Sequence, residues 1–194
     1  VWNDLIMEGS NSIRGVNIIN NSIAVTYLED TFSEVKFYSL EGAYKESLSL
    51  SENGSISGFG GGLEDTSTFF SFTNFVSPKK IYEIDLNTMK MKIFWEESLK
   101  DFNSNDYISD FRFYESKDGT KIPIHINYKK SLSITEDTPV LIYGYGGFNI
   151  SILPSFSKRF LSWMNQGGVV AVANLRGGGE YGDIWHEDGM LFNK

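Results

Sequence analysis

The sequence contains no cysteine, which excludes a disulfide framework and any thiolate metal centre. Histidine is nearly as scarce. His125 and His186 are the only two, and neither has a partner at metal-ligand spacing, so no metal site is expected. Positive charge is short too: 17 Lys and Arg stand against 25 Asp and Glu, a formal net charge of −8. No basic cluster suits a phosphate backbone, so nucleic acid is not an expected partner. No like-charge run marks a tail or an anionic-lipid patch. The apolar run at 140–143 is far too short for a bilayer, and no basic segment followed by an apolar core opens the chain. Neither a membrane span nor a signal peptide is therefore expected, and the expected location is cytoplasmic. The N-x-[ST] triplets at Asn20, Asn53 and Asn149 arise readily by chance in a serine-rich chain. One absence bears directly on chemistry. No G-x-S-x-G nucleophile elbow occurs anywhere, so no hydrolase nucleophile of that kind is visible.

What is present is an ordinary globular composition, 41% hydrophobic and 22% charged. Aromatic residues reach 15%, with 15 Phe and 10 Tyr, a content that suits pleated, half-buried surfaces. Residues 1 to about 100 read as short strands at 22–28, 34–40, 46–50, 65–75, 80–86 and 91–95. Val35 and Phe37 alternate with Lys36 and Tyr38, which predicts one buried face. Such spacing suits a sandwich, a barrel or a propeller. Segments 35–42 and 80–88 each follow a longer apolar strand and end in a turn. They lie about 45 residues apart, near the period of a four-stranded propeller blade. Two blades cannot close a ring, so an opened piece of propeller is expected, with an antiparallel sandwich as the alternative.

The rhythm changes near Asn105. Segments 111–115 and 121–128 flank Lys117-Asp118-Gly119-Thr120, and Asp-Gly signals a hairpin. Ile122, Ile124 and Ile126 alternate with Pro123, His125 and Asn127, which predicts an apolar isoleucine face. Pro123 predicts an edge or a bulge. The apolar run 139–143 predicts a strand buried on both faces. Phe156, Phe160, Leu161, Trp163 and Met164 recur at helical spacing within 155–166, and Gly167-Gly168 ends the pattern. A second buried strand follows at 169–175. Strand, helix and strand of this length predict a right-handed crossover in a parallel sheet, the opening of an α/β domain.

Two glycine-rich segments follow the predicted buried strands. Tyr143-Gly-Tyr-Gly-Gly-Phe-Asn149 lies where α/β sheets bind ligands, beyond a strand's carboxyl end, and such a loop supplies an oxyanion-hole donor in α/β-hydrolases. It can equally be a tight turn with packed aromatics. In Arg176-Gly-Gly-Gly-Glu-Tyr-Gly182, Gly177, Gly179 and Gly182 satisfy G-x-G-x-x-G, but the acidic partner about 20 residues on would fall past Lys194. Glycines packed under a strand crossing are the expected reading. His125 and His186 are general bases by type, or core and surface residues.

Residues 143–194 resemble the prolyl oligopeptidase family closely, through Tyr-Gly-Tyr-Gly-Gly-Phe-Asn-Ile-Ser-Ile, Gly-Gly-Val-Val-Ala-Val-Ala-Asn-Leu-Arg-Gly-Gly-Gly-Glu-Tyr-Gly and Trp-His. Residues 109–128 resemble that family's entry into its peptidase domain, and 71–78 and 81–86 its last propeller blades. Oligopeptidase B shares the Arg-Gly-Gly-Gly-Glu segment, but Gly147-Phe148-Asn149 looks more like the prolyl enzyme. The resemblance implies a mixed fold: C-terminal blades of a β-propeller over 1–104, then the start of an α/β-hydrolase domain over 105–194. It implies a serine-type oligopeptidase that cleaves short peptides after proline, with no cofactor and a monomeric parent. Tyr145 matches the tyrosine whose hydroxyl stabilises the oxyanion. Phe148 matches a wall of the proline pocket, with Asn149 beside it as a second substrate-binding position. Arg176 and Glu180 match a structural motif. None of the Ser, Asp and His of the triad has a matching position. The expectation is an excised piece, consistent with Val1 where Met would start a chain, and inactive alone. Unpaired sheet edges would make it dependent on further chain for solubility. A non-catalytic propeller binding module with an α/β appendage is the alternative, and a nucleotide-binding enzyme is a third.

Overall fold

Two-residue turns shape the first half of the chain. The structure, a computed structural model, describes residues 4–193. Asn20 and Asn21 (φ 47° and 47°) join β1 (Ser12–Ile19) to β2 (Ser22–Glu29), and Asp30 and Thr31 (φ 45° and 75°) join β2 to β3 (Phe32–Ser39). Positive φ at both turn residues matches the twist of the flanking strands. With β4 (Tyr44–Ser47) these form an antiparallel meander in the order β1-β2-β3-β4. A second meander, β5-β6-β7-β8, comprises β5 (Ser55–Gly58), β6 (Ser67–Thr73), β7 (Lys80–Asp85) and β8 (Met91–Glu96). The weak repeat at 35–42 and 80–88 falls on the third strand of each sheet. Strands β1 and β5 were not visible in the pattern. In β1, Ile13, Val16 and Ile18 are each more than half exposed, so its apolar residues do not mark an inner face, and β5 is only four residues of Ser, Ile, Ser and Gly.

The two meanders share one core of Ile19, Ala24, Val35, Phe37, Phe59, Phe70 and Ile84. Phe59 meets Phe37 edge-on at 5.7 Å and stacks on Phe70 at 5.1 Å, which in turn stacks on Tyr82. Burial of four large rings in one column ties sheet to sheet.

The third sheet has the order β11-β12-β10-β9, built from β9 (Tyr107–Glu115), β10 (Lys121–Lys129), β11 (Val140–Gly144) and β12 (Val169–Ala173). Helix α1 (Lys158–Asn165) links β11 to β12, which pair in parallel, so the strand–helix–strand unit is present. The helix is shorter than the apolar pattern predicts, because Ser157 is its N-cap and Phe156 lies in the preceding loop. A five-residue helix, α2 (Asp183–Glu187), follows the glycine-rich segment. Among the described residues no helix is long and apolar enough to cross a membrane.

Two expectations for this sheet are corrected, and a third observation was not anticipated. Strand β11 is not buried on both faces. It pairs only with β12, and Val140, Ile142 and Tyr143 are 50%, 71% and 44% exposed. Pro123 is not on an edge: β10 lies between β9 and β12, and Pro123 stands just before the stretch Ile124–Asn127 that pairs with β12. Pro123 still contributes its carbonyl, which accepts from Asn174 N–H at 3.0 Å. The better-buried face of β10 is not the isoleucine face. His125 and Asn127 are 0% and 1% exposed, whereas on the isoleucine face Ile122 is buried but Ile124 and Ile126 are only half-buried.

The reason lies in the register. His125 pairs with Phe111 on one side and Val172 on the other, and Asn127 pairs with Val170, so these residues share a face. Turns of the two meanders cover that face. Phe75 and Val76, from the β6–β7 connection, join Tyr107, Met164, Val170 and Val172 in one apolar cluster. The His125 ring lies between Phe32, Phe75 and Phe111, at 5.2, 4.9 and 5.0 Å. Its Nε2 is 2.8 Å from the hydroxyl of Thr31, a fully buried β-branched residue at positive φ. Asn127 donates to the Val170 carbonyl at 3.2 Å.

Burial holds the His125 imidazole down at about 4 rather than 6.5, since the charged ring would leave water for an apolar cage. The unfolded chain therefore takes up a proton near pH 6.5 that the folded chain refuses until about 4. Stability from this group is complete above 6.5 and lost as pH falls through that window, by about 3 kcal/mol. We expect His125→Gln to flatten the acid limb of unfolding free energy, measured by urea titration between those pH values. An unchanged slope would assign the acid sensitivity to other groups.

Candidate active site

The site begins where β11 ends. Past Gly144 the chain runs without regular structure to Ser157, and this loop carries Tyr145, Phe148 and Asn149. Gly146, Phe148 and Asn149 all take positive φ (58°, 54° and 56°). Two non-glycine residues in this region store backbone strain, which persists only where neighbours over-determine the conformation. Tyr145 is 42% exposed and Phe148 85%, so neither side chain is sealed in the interior.

The neighbour is the segment after β12. Gly146 lies against the Leu175–Arg176 peptide, where a Cβ would come within 2.5 Å of Leu175 Cβ and 2.7 Å of the Arg176 carbonyl oxygen. Gly177 returns the contact: its Cβ would stand 2.5 Å from the Gly146 carbonyl oxygen and 3.2 Å from that of Gly189. Three stretches of main chain thus touch with glycine at each crossing. Of the G-x-G-x-x-G match, Gly177 lies in this crossing and Gly179 against Asn149, where a Cβ would stand 2.7 Å from the carbonyl oxygen, whereas Gly182 is the N-cap of α2 at φ 80°.

Hydrogen bonds fasten the crossing. The Gly177 carbonyl accepts from Asn149 N–H at 3.1 Å and lies 2.7 Å from His186 Nδ1. The Asn149 N–H also points at His186 Nδ1, at 3.2 Å, so the Gly177 carbonyl, the Asn149 amide and the imidazole form one cluster. His186 thereby acquires a definite task at the site that its residue type alone did not indicate. Further along the loop, the Ile152 N–H donates to Glu180 Oε1 at 2.9 Å, and the Ile152 carbonyl accepts from Asn174 Nδ2 at 2.6 Å. Asn174 Nδ2 also donates to Glu180 Oε1 at 3.1 Å. Asn174 and Glu180 are 0% and 2% exposed.

Residues of the meanders hold the same loop from the other side. Arg14 donates to Ser151, Ser55 Oγ donates to the Pro154 carbonyl at 2.6 Å, and Phe156 N–H donates to Thr73 Oγ1 at 3.3 Å. Arg176 points elsewhere, to the β9–β10 turn, where it pairs with Asp118 at 2.6 Å. Hydrogen bonds from Thr120, and then the Arg176 guanidinium, hold the Asp118 carboxyl down at about 2. The Tyr181 hydroxyl donates to Asp30 at 2.9 Å; burial, and then that carboxylate, push its pKa upward. A cavity of about 500 Å³ opens between Phe32, Phe111, Glu29, Asp30, Glu34 and Glu52, and no residue of the Tyr145 loop lines it. Asn174 and Ile152 were not singled out by sequence. The available signal was a lone polar residue closing the apolar run Val169–Ala173.

Blade-like antiparallel meanders packed on a sheet whose strand ends in a glycine-rich, partly exposed tyrosine loop define a propeller-bearing α/β-hydrolase. Family comparison makes this specific. A family described as "Prolyl oligopeptidase, N-terminal beta-propeller domain" matches residues 1–97, and one described as "Prolyl oligopeptidase family" matches 154–194. The chain belongs to the prolyl oligopeptidase family. It is 39% identical over 193 residues to the prolyl endopeptidase of Elizabethkingia meningoseptica, covering 100% of this chain and 27% of that protein. With the prolyl endopeptidase of Dictyostelium discoideum it shares 40% over 173 residues, covering 88% of this chain and 23% of that protein. Among solved structures, a prolyl endopeptidase studied for inter-domain dynamics superposes with a TM-score of 0.88 at 37% identity, covering 96% of this chain and 27% of the other. Prolyl oligopeptidase B from Galerina marginata bound to a 25mer macrocyclization substrate superposes at 0.89 with 31% identity, covering 96% and 26%. The chain spans about a quarter of the length of these relatives.

Gly177→Ala adds a Cβ against main chain on two sides at positive φ, so we expect a loss of more than about 1 kcal/mol in unfolding free energy. Gly9→Ala, at a position with nothing within 4 Å, serves as the control and should stay within about 0.5 kcal/mol of wild type. Equal stability of the two variants would refute the crossing as a steric requirement.

Proposed function

We propose that this chain is part of a serine-type oligopeptidase that hydrolyses short peptides on the carboxyl side of proline, and that Tyr145 supplies an oxyanion-stabilising hydroxyl. Residues 1–104 form the C-terminal blades and 105–194 the opening of the catalytic domain. The observation that carries this reading is a half-exposed Tyr145 at the carboxyl end of β11, in a loop whose strained backbone is braced from two sides. A tetrahedral intermediate gathers negative charge on the former carbonyl oxygen, and a phenol held in place can donate to it without reorganising. Phe148, 85% exposed beside it, is available as an apolar wall for a proline ring, with Asn149 next to it. Names of the relatives support the substrate class: they are prolyl endopeptidases and prolyl oligopeptidases, one of them holding a peptide substrate.

The nucleophile, its acid and its base come from chain beyond these residues, because no G-x-S-x-G elbow occurs among the 194. The parent acts as a monomer in the cytoplasm, on soluble peptides, with no cofactor.

Two measurements test the reading. In the full-length enzyme that carries this chain, Tyr145→Phe should lower kcat on the order of 10²–10³-fold with little change in KM. Unaltered turnover would remove Tyr145 from the mechanism. A fluorophosphonate probe should label the full-length enzyme and leave the 194-residue chain unlabelled. Specific covalent labelling of the short chain would show a nucleophile within it.

A further inference from the structure

We propose that Glu180 is a positioning residue for catalysis, acting through the loop that carries Tyr145. This inference rests on the oxyanion role proposed for Tyr145 and adds the group that holds that residue in place.

Glu180 is a carboxylate at 2% exposure, and no Lys, Arg or His forms an ion pair with it among the described residues. Burying such a group costs free energy unless hydrogen bonds to it offset the lost water. Its bonds run through Oε1 to Ile152 and Asn174, while Oε2 is buried with no hydrogen-bond partner among the described residues. Oε1 accepts from Ile152 N–H and from Asn174 Nδ2, while Asn174 Nδ2 grips the Ile152 carbonyl. Both polar groups of Ile152 are thus held by two buried side chains from the segment after β12.

Ile152 lies in the same unstructured loop as Tyr145, beyond the strained residues Phe148 and Asn149. A loop with two non-glycine residues at positive φ relaxes unless both of its ends are held. The near end is held at Gly177, through Asn149 N–H and His186. The far end is held at Glu180. Glu180 itself follows directly on the glycine crossing, so one rigid segment sets both ends. The buried carboxylate therefore fixes where the Tyr145 hydroxyl stands without approaching the substrate.

The test is a double-mutant cycle in the full-length enzyme. Glu180→Ala should lower kcat about 10- to 100-fold with KM nearly unchanged, the cost of displacing a catalytic group by about an ångström. In a Tyr145→Phe background the same change should cost little more, since residues acting as a unit are not additive. Glu180→Gln keeps an acceptor oxygen against Ile152 and should stay within about fivefold of wild type. Hydrogen exchange at the Ile152 amide should accelerate in Glu180→Ala and remain slow in Glu180→Gln. A full Glu180→Ala penalty in the Tyr145→Phe background, or no penalty in either, would overturn the proposal. Should Glu180→Ala fail to fold, a Glu180→Gln variant that folds but loses activity as severely as Tyr145→Phe would overturn it too. Tyr145→Phe alone reports on the oxyanion role, so failure of that reading is seen separately.

Discussion

The structure depends on covering a polar sheet face with turns borrowed from elsewhere in the chain. His125 and Asn127 project from the centre of the third sheet, where water would otherwise reach them. Thr31, Phe75 and Val76 from turns of the meanders, with Phe32 at the start of β3, close over that face. The Thr31 hydroxyl, on a residue whose φ of 75° is costly for a β-branched side chain, satisfies one imidazole nitrogen. His125 Nδ1 has no hydrogen-bond partner among the described residues. The interface accepts strain and an incompletely satisfied ring, offset by burial of Phe32, Phe75 and Phe111 around it. This contact fixes the meanders against the sheet, and it thereby sets which residues reach the loop beyond β11.

At that loop a second device operates. Gly146, Gly177 and Gly189 let three backbones touch, so the start of the loop that carries Tyr145 is set by main-chain contact. Main-chain crossings have few ways to adjust, because neither backbone can rotate away from the other as a side chain can. Buried side chains then act where the backbone cannot. Glu180 and Asn174 hold Ile152, while Arg14, Ser55 and Thr73 hold the residues that follow. Elements that read as separate in sequence, a blade edge and a hydrolase loop, are therefore one mechanical unit.

The order and type of most strands were legible from hydrophobic pattern, as were the Asp118-Gly119 turn and helix α1. Tyr145, Phe148 and the glycine-rich segments were legible as motifs, because glycine where main chains meet is dictated by local geometry. Strand β1 escaped notice because most of its apolar residues face outward, and β5 because it is four residues with a single apolar side chain. The apolar isoleucine face of β10 was legible, but not that the opposite face is the better covered one. Periodicity says that one face differs from the other, but which face is covered better depends on what packs there.

Local rules thus settled what local residues can settle: turns, helix and strand identity, and the places where only glycine fits. Tertiary structure alone decided that His125 is caged by aromatic rings, that Arg176 serves a distant turn, and that Glu180 and Asn174 converge on Ile152. Each of these joins segments far apart in the chain, and no spacing rule encodes such a meeting. Burial, which turns a polar side chain into a positioning device, is a property of the packed whole.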